Sequence, residues 1–69
     1  MSLTEINRRY EEIMQADVSD YYKTVKLAEL MTEMEAEYRI PMLKKPEWEE
    51  KNRKVISLYR KISRSRKDD

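Results

Sequence analysis

Glu29, Glu33 and Glu37 recur at four-residue steps, which on a helix lines up three carboxylates along one face. Such a rank could hold a divalent metal or supply an acid and a base. A catalytic carboxylate, however, needs burial or a close neighbour to move its pKa. Carboxylate metal bundles also complete their ligand set with a Glu-x-x-His pair. This chain has neither histidine nor cysteine. The usual general base, the strongest neutral-pH nucleophile and any thiolate zinc site are therefore missing. The three glutamates are expected to form a solvated acidic face, with no catalytic residue, no metal and no cofactor. Glycine is absent too, which removes the loops whose backbone must approach a phosphate closely, such as G-x-G-x-x-G or a Walker loop. The expectation is that the chain is not an enzyme.

Binding chemistry is better represented. The formal net charge of +1 conceals an uneven distribution, −5 over residues 1–38 and +6 over residues 39–69. Arg53, Lys54, Arg60, Lys61 and Arg64 cluster on the outer side of a helix whose inner stripe carries Trp48 and Tyr59. A basic face of this kind can neutralise phosphates and release their counterions, so a small nucleic-acid-binding protein is the alternative reading. Two facts weigh against it: the near-neutral total, and aromatic side chains turned inward where no base can stack on them. The expectation is that the basic helix pairs instead with the acidic face of the second helix, within one chain or between two.

Protein binding has two candidate surfaces. Ile40-Pro41-Met42-Leu43, followed by Lys44-Lys45, is apolar for a connection. Exposed, it would be a hydrophobic patch rimmed by charge; the expectation is that it folds back as a lid over one end of the bundle. The second surface is a weaker apolar strip, Tyr21, Val25, Ala28 and Ala36, with Tyr22 next to it. Tyr21 and Tyr22 are consecutive, so on a helix they face directions 100° apart and are not both expected to be buried. Another protein, or a second copy of this one, is the expected partner.

These groups must be positioned by helices, since Glu, Lys, Arg, Leu, Met and Ala dominate and no β-branched alternation bounded by turn residues occurs. The first helix is expected from Ser2 to about Ala16, opened by the S-x-x-E box of Ser2 and Glu5. Its buried stripe is Leu3, Ile6, Tyr10, Ile13 and Met14, with Glu5–Arg9 and Arg8–Glu12 as outer ion pairs. Ser19 or Asp20 caps a second helix that runs to Tyr38 or Arg39, with Leu27, Leu30, Met31, Met34 and Tyr38 inward. Pro41 stops it by excluding Ile40 from the helical region. Pro46 suits the first position of a third helix, whose inner stripe is Trp48, Val55, Tyr59 and Ile62. Asn52 lies on that stripe, and either interrupts the helix, recapping it from Arg53, or fixes its register.

The expected fold is all-α: a small three-helix bundle, up-down-up, as one domain over residues 1–63, with 64–69 as a frayed polar tail. Sixty-nine residues bury only roughly 60% of the surface the unfolded chain exposes, so a dimer would add useful burial. No run of 18 apolar residues and no basic-then-apolar leader is present, and a cytoplasmic location is expected. The acidic second helix would be repelled by an anionic lipid surface, so no membrane partner is expected.

Overall fold

The structure, a computed structural model, describes residues 2–66. It contains α1 (Leu3–Gln15), α2 (Asp20–Tyr38), α3 (Pro46–Lys51) and α4 (Arg53–Ser65), with no strand among the described residues. The fold is all-helical, but in four helices rather than three.

Local chemistry accounts for each boundary. Ser2 Oγ accepts the Glu5 backbone N–H at 3.2 Å, and the Glu5 carboxylate takes the Arg8 guanidinium. Of the two candidate caps for α2, Ser19 acts: its Oγ accepts the Tyr22 N–H at 3.1 Å. At the far end Arg39 turns left-handed, with φ 53° and ψ 50°. The next N–H, of Ile40, reaches back to the Glu35 carbonyl at 3.2 Å. This is the Schellman closure, in a chain with no glycine to occupy its left-handed position. Pro41 follows and prevents resumption. Pro46 opens α3 as expected.

Asn52 separates α3 from α4, with φ −127° and ψ 42°. Its side chain does not cap α4; Nδ2 donates backwards to the Trp48 carbonyl at 2.9 Å. The interruption is as anticipated, but Asn52 closes the helix behind it instead of capping the one ahead. A further correction concerns the tail. Residues 64 and 65 are the last turn of α4, not frayed chain, because Ser65 is bonded to Tyr10 on α1. Arg66 is the extended residue that ends α4, and residues 67–69 of the expected tail lie outside the described residues.

Helix α2 packs against both α1 and α4, and those two touch each other. Registers run in opposite directions: Arg9 meets Glu33 while Met14 meets Lys23, and Tyr59 meets Glu35 while Arg66 meets Met31. The buried core is Ile6, Tyr10, Leu27, Leu30, Met31, Met34, Val55 and Ile62. All eight belong to the stripes expected from spacing. Each fully buried aliphatic side chain contributes roughly 1.5–3 kcal/mol. Leu3, Ile13, Met14, Tyr38, Ile40, Trp48, Leu58 and Tyr59 are half-buried around them.

Candidate protein-binding surface

The end of the bundle beyond α2 carries an open groove of about 230 Å³. One wall is the connection from Ile40 to Lys45, the other is Trp48 from α3 with Ile56 and Tyr59 from α4. The break at Asn52, with φ −127° and ψ 42°, lies between Trp48 and the α4 residues of this wall. Glu49 and Arg60 close one side through an ion pair of 2.7 Å in which the Glu49 side chain is only 18% exposed.

The lid expectation fails for half of the connection. Ile40 packs on the core, but Met42 and Leu43 are 101% and 79% exposed. The reason is backbone geometry. The Schellman turn carries Ile40 back onto the bundle, and the chain then leaves toward Pro46, so the two following side chains face solvent. Two neighbouring apolar side chains are thus left in water beside a groove of mixed apolar and charged lining, flanked by the exposed cations Arg39, Lys44 and Lys45.

At the other end of α2, Tyr21 is 80% exposed, with Tyr22, Val25 and Val18 also in solvent. Asp17 and Asp20 flank this patch and are exposed. The Lys26 ammonium lies 5.5 Å from the centre of the Tyr22 ring and 3.4 Å from Glu29, whose carboxylate holds its pKa above the ordinary lysine value. The residues singled out from the sequence thus lie at opposite ends of α2, with Met42 and Leu43 exposed beside the core-packed Ile40 at one end and Tyr21, Tyr22 and Val25 exposed at the other.

On α4, Arg53, Lys54 and Arg64 are exposed. Arg60 is tied to Glu49, and Lys61 lies 3.9 Å from Glu11 and 4.9 Å from the Tyr10 ring centre. The expected pairing with the acidic α2 takes a different form: the α4 cations reach acids on α1 and α3, while α2 is met by a tyrosine. Tyr59 donates to Glu35 at 2.5 Å. Burial, reinforced by that carboxylate, pushes the Tyr59 phenol up to about 12.

In the glutamate rank, Glu29 pairs with Lys26 and Glu33 with Arg9. Among the described residues no cluster of three or more acidic side chains is placed to hold a metal ion. Nor is any described helix long and apolar enough to cross a membrane. Sequence reasoning missed the groove itself: Trp48 and Ile56 read as core and flank, and only the polar Asn52 between them signalled that the two would splay. Comparison with known proteins adds no relative, since no protein-family model, curated protein or solved structure matches this chain.

Proposed function

We propose that this protein is a non-enzymatic interaction module, an up-down-up helical body in the cytoplasm that works by binding another protein chain through the Met42/Leu43 groove. One observation carries the reading: Met42 is fully exposed at the lip of a groove whose walls combine Ile40, Pro41, Trp48 and Ile56 with the charged Lys44, Lys45, Glu49 and Arg60, where an apolar side chain gains nothing from water and each buried CH₂ would gain about 0.8 kcal/mol on contact with a partner. Hydrophobic patches rimmed by charge mark interaction sites.

A photo-crosslinking residue at position 42 tests the reading in living cells. An adduct with a polypeptide formed from position 42, but not from exposed position 15 on α1, supports it. Equal labelling at both positions, or none, removes it.

A second reading, nucleic-acid contact, is supported by the exposed alignment of Arg53, Lys54 and Arg64 on α4. Such binding would fall steeply with salt. The engagement of Arg60 and Lys61 with acids of the same chain favours the protein reading.

A further inference from the structure

Three of the four cations on α1 and α2 are paired with acids of the same chain: Arg8 with Glu5 and Glu12, Arg9 with Glu33, and Lys26 with Glu29. The cations around Met42 and Leu43 are not. Arg39, Lys44 and Lys45 are exposed, no acid lies between residues 39 and 45, and none of the three forms an ion pair among the described residues. Inside the groove Glu49 and Arg60 neutralise each other at 2.7 Å, so Lys44 and Lys45 are the unbalanced charge of its lining. An exposed apolar pair is thus bracketed by cations that the fold leaves without counter-charge. Resting on the reading that this groove binds a protein chain, we infer that its partner is an acidic amphipathic segment, which covers Met42 and Leu43 with apolar side chains and sets carboxylates against Arg39, Lys44 and Lys45.

Two contributions combine in such a contact. Burial of the two apolar side chains supplies affinity, and complementary charge supplies the choice of partner and the speed of encounter. A basic segment would meet Arg39, Lys44 and Lys45 with like charge, which is repulsive. The pattern also favours a discrete segment over a uniformly negative surface. Lys44 borders two further, more open depressions, one lined with Glu47 and Lys51, the other with Glu50 and Arg53. Glu47 and Glu50 are exposed on α3, so acids and bases alternate just beyond the groove. An anionic bilayer or a nucleic-acid backbone brings negative charge against all of them, the glutamates included. A peptide can place its carboxylates opposite the cations alone. The exposed apolar pair agrees with this, because a phosphate backbone offers it nothing to bury against.

Selection from a random peptide library on the immobilised protein, with the M42E/L43E variant as counter-target, tests the inference without presuming a sequence. Both side chains are exposed, so the variant keeps the fold, which circular dichroism checks. The expected winners carry apolar residues flanked by Asp and Glu. Winners without an excess of acids overturn the inference, as does a selection that enriches nothing. The strongest winner is then synthesised with a dye and titrated by fluorescence anisotropy. K44E/K45E is expected to weaken binding at least about tenfold, and added salt to weaken it several-fold. Replacing the peptide's acids by lysine should reverse the preference, so that the altered peptide binds K44E/K45E more tightly than wild type. A damaged fold would not produce that exchange, and its absence overturns the inference. Vesicles rich in phosphatidylserine and a single-stranded RNA are run beside the peptide; tighter binding of either one, lost in M42E/L43E, overturns it too. So does a dimer of the free protein in sedimentation equilibrium that M42E/L43E dissolves, since the occupant would then be a second copy. If selection fails while position 42 still crosslinks to polypeptides in cells, the binding reading stands with a different occupant. If crosslinking fails as well, both fall.

Discussion

Tyr10 and Ser65, at opposite ends of the chain, share a hydrogen bond of 2.7 Å between their hydroxyls. Ser65 gives its own proton to the Lys61 carbonyl at 3.0 Å, so Tyr10 is the donor. The bond docks the last turn of α4 onto α1. It acts there together with the buried Ile62 and the contact of Arg66 with Met31.

The first prediction follows from that asymmetry. S65A removes the acceptor and leaves a buried phenol unsatisfied, whereas Y10F removes the donor and leaves Ser65 its bond to Lys61. S65A is expected to cost about 1–2 kcal/mol and Y10F about 0.5–1 kcal/mol. The double variant should cost no more than S65A, since the sites are coupled. At roughly 4–8 °C per kcal/mol for a domain of this size, thermal unfolding resolves the difference. An S65A midpoint equal to wild type would mean that the helix end is undocked.

The second prediction concerns alkaline pH. The Tyr59 phenol is pushed up to about 12 from 10.0 by burial and then by Glu35. A group raised in the folded state favours folding while protonated. Its contribution is whole below pH 10.0 and is lost as pH rises toward about 12. Denaturant midpoints should therefore fall across that window, and Y59F should flatten the fall. Tyrosinate absorbance should lose a late-titrating component in the same variant. An unchanged pH slope in Y59F would place the proton-linked step elsewhere.

A third prediction tests the left-handed Arg39 at φ 53°. The left-handed region costs a residue with a side chain roughly 1–2 kcal/mol, part of which glycine gives back through its freer unfolded state. R39G is expected to stabilise the protein by about 0.5–1 kcal/mol. R39V, β-branched and intolerant of positive φ, should destabilise it by more. If both were neutral, the Schellman closure would not be rigid in solution.

Much of the architecture was legible because periodicity encodes burial. Ile6, Leu27, Leu30, Met34, Val55 and Ile62 follow the helical repeat, and all are buried. What escaped is what has no repeat. Arg39 carries no signal for a left-handed turn, since that signal is normally glycine and the chain has none. Ser65 reads as tail by composition, and its role depends on a partner 55 positions away. Met42 and Leu43 sit in a connection, where hydrophobicity alone does not say which way a side chain points. The patch residues could be named from the sequence, but the groove could not, because its walls come from a connection, α3 and α4 across the break at Asn52.

The same connection provides the last prediction, because it contains both outcomes side by side. Ile40 packs against the core, whereas Met42 is 101% exposed. A fully buried isoleucine truncated to alanine costs about 2–5 kcal/mol. Half-buried Ile40 should cost on the order of 1–2 kcal/mol on the same scale, seen as a lower denaturant midpoint with unchanged slope. M42A and L43A should stay within about 0.5 kcal/mol of wild type, measured at protein concentrations low enough that association adds nothing. At high concentration M42A should lower the apparent midpoint only if Met42 is covered in an assembly, because a ligand or second copy stabilises whatever state it binds. A loss of stability in M42A at every concentration would instead return Met42 to the bundle as a lid, closing the groove that the binding proposal requires.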